Sequence, residues 1–303
     1  MVVYRELSSL EKDLGVSAKM LYTLSNQLRK HYRTVKVPKG NGEFRELSVP
    51  DEFLKAVQTK IAQNLLAHEP ISPYATAYRP GGSPLKNALP HVGNGTLLKM
   101  DIRHFFDSIY YPVVKDKVFP AERYSESNRI LLSLLCVYRD ALPQGAPTSP
   151  VISNIIMRRF DDTVGGWCAE RNIAYTRYCD DMTFSGEFEP EAVKAFVREQ
   201  LQKEGFFVNG KKTVVAKPGQ QKSVTGIVVN DRPAVSARYR KKLRQELHYC
   251  KTYGVRSHME RTGVDAREDT YLRQLLGRVN YVLSVDPRNV EMQGYKRWIK
   301  SQI

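Results

Sequence analysis

The run Ala174-Tyr175-Thr176-Arg177-Tyr178-Cys179-Asp180-Asp181-Met182-Thr183-Phe184-Ser185 places two adjacent carboxylates between two short β-like segments. Ala174 to Arg177 and Met182 to Ser185 are the flanking runs, so the acidic pair sits at or near a hairpin tip. Asp101 stands 79 residues before Asp180 and closes the apolar run Leu97-Leu98-Lys99-Met100-Asp101-Ile102, which reads as a buried strand. Carboxylates brought together repel, and such a cluster is tolerated mainly when a cation neutralises it. Mg²⁺ takes hard oxygen ligands, commonly one or two carboxylates plus substrate phosphates. Two such ions roughly 3.5–4 Å apart clamp the attacking and leaving oxygens of an in-line phosphoryl displacement. An Asp-Asp pair alone is more often a surface turn. A second one, Asp161-Asp162, lies in an expected helix and reads as a solvated face.

Composition bounds the partner. The 303 residues carry 47 Lys and Arg against 32 Asp and Glu, a net charge of +15. An excess of that size on a folded chain points to a polyanion, most often nucleic acid. The hydrophobic share of 42% is enough for a core and excludes a disordered chain. No apolar run approaches the roughly 20 residues of a membrane span, and Met1-Val2-Val3-Tyr4-Arg5-Glu6 lacks the apolar region of a signal peptide. Cys136, Cys168, Cys179 and Cys250 match neither a disulfide framework nor a zinc site. A reducing cytosol and no membrane partner are therefore expected.

Outward from the acidic hairpin, helices and strands alternate. Residues 1–33 read as helical around a Gly15 break, and Val35 to Pro50 as a hairpin turning at Gly40-Asn41-Gly42. A helix is expected from about Asp51 to His68, a loop-rich stretch from Pro70 to Gly95, and helices from Pro112 and over Leu131 to Tyr138. Pro143 to Pro150 is a turn, with Ser149 as N-cap and Pro150 as first residue of the next helix. Pro190 to Glu204 is a helix closed by Gly205, Lys212 to Ala216 and Ser223 to Val229 are strands, and the chain is helical from Ser236. The class is α+β.

Three segments in fixed order carry a resemblance. Leu98-Lys99-Met100-Asp101-Ile102-Arg103-His104-Phe105-Phe106, Leu142-Pro143-Gln144-Gly145-Ala146-Pro147-Thr148-Ser149-Pro150 and Tyr178-Cys179-Asp180-Asp181 resemble the first palm motif, the LPQG-x-P-x-SP motif and the YxDD box of reverse transcriptases. Asn87-Ala88-Leu89-Pro90-His91 and Val224-Thr225-Gly226 are similar to the NAxxH and VTG elements of bacterial retron reverse transcriptases, as is Tyr281 to Pro287. The resemblance implies a right-hand polymerase of fingers, palm and thumb, with an antiparallel palm sheet and a helical thumb. Its expected parts are 1–96 (N-terminal helices and fingers), 97–235 (palm, with a fingers-associated insertion at about 118–147) and 236–303 (thumb).

It also implies roles. Asp101, Asp180 and Asp181, with the Ile102 carbonyl, would hold two Mg²⁺ ions. Phe106 would be the steric gate against a ribonucleotide 2′-OH, with Gln144 and the Gly145 turn beside the incoming deoxynucleotide. Arg45 and Lys39 would meet the triphosphate, and Lys212 (or its neighbour Lys211) the leaving pyrophosphate. Asn87, His91, Val224, Thr225 and Gly226 would contact RNA. Residues 232–256 hold eight basic residues against Glu246 alone, with Tyr239, Tyr249 and Tyr253 interleaved, so Arg238, Arg240, Lys241, Lys242 and Arg244 join the expected RNA contacts.

A retron enzyme would copy part of its own structured noncoding RNA into multicopy single-stranded DNA, primed from a guanosine 2′-OH, within an antiviral system. Its partners would be that RNA and its DNA product, dNTPs, an effector protein, and a host ribonuclease H for template removal. The alternatives are a non-retron defence or group II intron-like reverse transcriptase, and an RNA-binding scaffold with an inactive polymerase fold. The intact carboxylates and Gln144 speak against the scaffold.

Overall fold

Gly15 turns left-handed (φ 58°) and ends the first helix, α1 (Leu7–Leu14). The Ser17 hydroxyl then accepts the Met20 N–H at 3.4 Å and opens α2 (Ala18–Asn26). The computed structural model describes residues 3–38 and 42–303. Next comes an antiparallel hairpin, β1 (Tyr32–Pro38) and β2 (Phe44–Pro50), in register from Tyr32 opposite Pro50 to Val37 opposite Arg45. The residues tipping that hairpin, Lys39 among them, lie outside the described residues. Asp51 caps α3 (Glu52–Lys60): one carboxylate oxygen accepts the Leu54 N–H at 2.9 Å, and the other pairs with His31 Nδ1 at 2.7 Å.

After a short helix α4 (Pro84–Ala88), strand β3 (Thr96–Asp101) runs into α5 (Tyr111–Val118) and α6 (Glu126–Cys136). The long α7 (Ser149–Ala169) leads to β4 (Ala174–Tyr178) and β5 (Asp181–Gly186), joined by two residues, a connection that makes the pair antiparallel. Helix α8 (Pro190–Lys203) and strand β6 (Val214–Ala216) complete a four-stranded sheet of order β4-β5-β3-β6. Short strands β7 (Ser223–Val224), β8 (Ile227–Val228) and β9 (Ala234–Val235) form an antiparallel three-stranded sheet. Helices α9 (Ala237–Tyr253), α10 (Val255–Thr262), α11 (Glu268–Val285) and α12 (Val290–Lys300) follow. This is the expected α+β class.

Two compact units divide the chain, and neither is contiguous. One takes the chain up to Gly82, Leu98–Phe184 and Phe188–Val215; the other takes Ser83–Leu97, Ser185–Glu187 and Ala216–Ile303. In the first, Leu54 and Ile61, Leu131 and Leu135, Ile152 and Phe160, and Met182 and Phe184 are buried in one core. In the second, Leu97, Val224 and Ile227 pack with Leu243, Leu247, Leu275 and Val279. Each such side chain withdrawn from water contributes about 1.5–3 kcal/mol.

Three local expectations are corrected. Ser223 to Val229 is not one strand: Thr225 (φ 46°) and Gly226 (φ 81°) are both left-handed and turn β7 back as β8, the two-residue hairpin that needs φ > 0 at both positions. Ser149 is not the N-cap of α7. It lies within the first turn behind Thr148, and its hydroxyl donates to the Pro143 carbonyl at 2.8 Å, closing the 143–149 loop. Asp161 is not on a solvated face: it is fully buried against Arg177, while its neighbour Asp162 is exposed and meets Arg158 at 3.6 Å.

Candidate active site

Strand β3 ends at Asp101, and the backbone around it fixes what stands beside it. The Asn209 N–H donates to the Asp101 carbonyl at 2.7 Å, and the Ile102 N–H donates to the Asp180 carbonyl at 2.9 Å. The strand end is thereby tied to the β4–β5 turn on one side and to residue 209 on the other. Carboxylate oxygens of Asp101, Asp180 and Asp181 consequently lie within 4.8 Å of one another. Asp101 is buried, Asp180 half-buried and Asp181 exposed.

The buried Asp101 carboxylate is satisfied from one side. Its Oδ2 accepts from Lys212 Nζ at 2.7 Å and its Oδ1 from the Asn209 side-chain amide at 3.0 Å. That hydrogen bond, followed by the surrounding negative charge, raises the Lys212 ammonium above its ordinary range. Asp181 has no such donor and responds in the opposite way. Although the residue keeps solvent access, desolvation in the cleft, then the charges of Asp180 and Asp101, raise its carboxyl to about 6, against the pull of Lys212 and Lys99. Three carboxylates in mutual repulsion, with hard oxygen donors and no sulfur or imidazole among them, match the donor set of a divalent cation.

The cluster forms part of the wall of a cleft of about 1450 Å³. Phe105 and Phe106 both stand on that wall, Phe106 half-buried and Phe105 3% exposed and part of the core. Arg45 is exposed on β2 and faces the same cleft, as do Gln144, Ile102 and Lys212; Lys211 is absent from the lining. Gly145 has φ 124°, and a Cβ there would lie 2.9 Å from the Ser48 carbonyl, so only glycine permits this approach of two backbones. Beside it the Ser48 N–H donates to the Gln144 carbonyl at 2.8 Å, joining β2 to the turn before α7.

Cys179, the residue before the paired aspartates, is itself left-handed (φ 62°) and buried. Burial, then the Asp180 charge, pushes its thiol up to about 12, so it stays protonated and unreactive. The Tyr78 hydroxyl bonds its sulfur at 3.4 Å. Sequence reasoning missed Tyr78, Asn209 and the Asp161–Arg177 pair. Of these, only Arg177 left a local signal, since strand alternation puts it on the same face as Tyr175.

The short elements at 87–91 and 224–226 are brought together in the second unit: the Thr225 hydroxyl donates to the Pro84 carbonyl at 3.0 Å, and Ala88 and Val224 share one core. Their side chains are not presented as expected. Asn87, His91 and Val224 are buried, His91 with Nδ1 2.7 Å from the Ser185 hydroxyl. Burial lowers His91 to about 4 and keeps it neutral. Thr225 is half-buried, and of the five only Gly226 is exposed. On α9, Leu243, Leu247 and Cys250 face the core, while Arg238, Lys241, Lys242, Tyr249 and Tyr253 occupy the exposed side. Arg240 is half-buried and donates to the Val235 carbonyl at 3.1 Å; Arg244 pairs with Glu291 at 2.8 Å.

A clustered carboxylate triad at a strand end and a hairpin turn, in a cleft with a cation on its inner member, fits the metal-assisted phosphoryl transfer that polymerases and nucleases perform. Residues 37–229 match the model of the reverse transcriptase (RNA-dependent DNA polymerase) family, and the chain belongs to it. Within that family it falls among the retron reverse transcriptases. It is 30% identical to the Retron Ec86 reverse transcriptase of Escherichia coli, over 95% of this chain and 87% of that one. It is 32% identical to the Retron Mx65 reverse transcriptase of Myxococcus xanthus, over 97% and 72% respectively. With the Retron Ec83 reverse transcriptase of Escherichia coli it shares 29% over 86% and 85%. The chain is an RNA-directed DNA polymerase. Among its described residues no helix is long and apolar enough to cross a membrane.

Proposed function

We propose that this polymerase copies part of its own structured noncoding RNA into single-stranded DNA that remains joined to the RNA, starting from a guanosine 2′-OH. The observation that carries the reading is the Asp101–Asp180–Asp181 cluster in a chain related along most of its length to retron enzymes. Fingers at 1–96, palm at 97–235 and thumb at 236–303 are the functional parts of this reading, with the insertion at about 118–147 belonging to the fingers.

Asp101, Asp180 and Asp181, with the Ile102 carbonyl, would hold two Mg²⁺ ions. When bound, these supply the charge neutralisation that lets a hydroxyl attack the α-phosphate. Arg45 and Lys39 grip the triphosphate, Arg as a fork and Lys as a point charge. Gln144 and the Gly145 turn flank the incoming nucleotide, and the Phe106 ring occupies the space that a 2′-OH would need. Lys212 assists the departing pyrophosphate with its positive charge. Arg238, Lys241 and Lys242, with Tyr249 and Tyr253, offer charges and rings to RNA from the exposed side of α9, with Gly226 beside them in this role. Arg240 and Arg244 support that surface through Val235 and Glu291, and Asn87, His91, Val224 and Thr225 shape the RNA-binding element from within. A host ribonuclease H trims the template, and an effector protein completes an antiphage system in the bacterial cytoplasm.

The test is DNA synthesis by the purified protein on the RNA transcribed beside its gene, with dNTPs and Mg²⁺. A DNA product that keeps an alkali-resistant branched guanosine at its 5′ end is expected. Extension of supplied primers alone, without a branch, refutes the retron reading and leaves the polymerase.

A further inference from the structure

We propose that the buried Asp161–Arg177 pair is the positioning device of the catalytic turn, holding the Cys179 carbonyl so that the Asp180 carboxylate keeps its aim. This rests on the reading of Asp180 as a metal-holding residue.

Arg177 and Asp161 are both 0% exposed. The guanidinium meets the carboxylate as a fork, Nε to Oδ1 at 2.8 Å and Nη2 to Oδ2 at 2.5 Å. Its remaining arm, Nη1, donates to the Cys179 carbonyl at 2.8 Å. The fork has its own supports. The Tyr175 hydroxyl donates to Asp161 Oδ1 at 2.8 Å, and Asn154 accepts from Nη2 at 3.3 Å while its amide donates to the Ala77 carbonyl at 2.9 Å. Asp161 and Asn154 both belong to α7, seven residues or about two helical turns apart on one face, so the rigid helix is the anchor.

An ion pair sunk in a core is a poor device for stability alone, because well-packed apolar side chains often do as well. What apolar side chains cannot do is donate to a carbonyl. The peptide carbonyl before Asp180 is held by Arg177, and Asp180's own carbonyl by the Ile102 N–H at 2.9 Å. Asp180 is thus suspended between two fixed peptide planes, one referred to α7 and the other to β3. Cys179 needs this restraint, since a non-glycine residue at φ 62° persists only where its surroundings over-determine it.

The experiment compares the full chain with D161L/R177M, an apolar pair of similar volume, with R177K, and with D180N. Thermal midpoint, RNA binding, and the kcat, KM for dNTP and half-saturating Mg²⁺ of primer extension are measured. The double variant is expected to fold and bind RNA while kcat falls ~10–100-fold and half-saturating Mg²⁺ rises ~10-fold, the size of effect seen when the support of a ligand is lost. R177K, which keeps the charge but loses the fork, is expected to fall between it and the native chain. Native kcat and Mg²⁺ dependence in a folded double variant overturns the proposal. If the double variant does not fold, unchanged kinetics in R177K overturn it. Synthesis surviving in D180N refutes the metal-site reading instead, whatever the other variants do.

Discussion

Lys212 Nζ lies 2.7 Å from Asp101 Oδ2, so the single buried carboxylate of the triad carries its own cation on a flexible stem. The bond to Asp101 keeps the ammonium charged where negative charge develops on a leaving pyrophosphate, and one preorganised donor of that kind contributes about 10²–10³-fold. K212A is expected to lower the single-turnover incorporation rate by ~10²-fold with little change in dNTP affinity, and K211A to leave it near native. Equal effects of the two variants would remove Lys212 from this role.

Phe105 and Phe106 both border the cleft, but Phe105 is buried in the core and Phe106 only half-buried, a difference that makes the two rings separately testable. F106A is expected to relax discrimination against ribonucleotides by roughly 10–200-fold, the scale of steric rejection in an apolar pocket, with a near-native melting temperature. F105A is expected to lower stability by about 3–5 kcal/mol. Competition between dGTP and GTP on one template reads the first, and denaturant unfolding the second.

At Gly145 the conformation and the space exclude a side chain together. A strained backbone of this kind stores about 1–3 kcal/mol, and G145A must either adopt it or break the Ser48–Gln144 hydrogen bond. The expected result is a kcat/KM for dNTP lower by ~10-fold or more, carried mainly by KM. Native KM in a folded G145A would show that the turn does not touch the nucleotide.

Arg238, Lys241 and Lys242 stand on the exposed side of α9. If each meets a phosphate, replacing all three by alanine reduces the slope of log affinity against log salt by about 2–3 for RNA. R240A and R244A, taken from side chains already bonded within the protein, are expected to change the slope less and stability more.

His91 sets a pH dependence. In the folded chain it stays neutral down to about 4, while in the unfolded chain it takes up a proton near its ordinary 6.5. Between those values the unfolded state binds more protons, so stability rises with pH through this window. The contribution is fully present above about 6.5 and is lost as pH falls toward 4, on the order of 3 kcal/mol for one such group. H91N is expected to flatten that part of the urea midpoint against pH. A slope identical to native would assign it to another group.

The parts of the fold that follow from local pattern were legible: the paired β-like runs around Asp180-Asp181, the strand ending at Asp101 and the Gly15 break all form where the local pattern places them. The triad was legible because its members end elements, and element ends are marked by local chemistry. What failed needed a partner far along the chain. Asp161 reads as a surface charge until Arg177, 16 residues on, is folded against it. Thr225 reads as strand because it is β-branched, and only its hydrogen bond to Pro84 and the turn before Gly226 hold it left-handed. His91 gives no sign in sequence of being enclosed.

The segment 83–97 lies in one compact unit with 216–303, although Leu98–Phe184 and Phe188–Val215 belong to the other. During synthesis it therefore emerges from the ribosome more than a hundred residues before the helices and strands that cover Ala88 and Leu97. Until those arrive, its apolar face has nothing to close on, and a nascent chain that has emerged only as far as residue 215 would hold one core formed and an open strip of another. Interruption at that point is where aggregation, or capture by a chaperone, should concentrate.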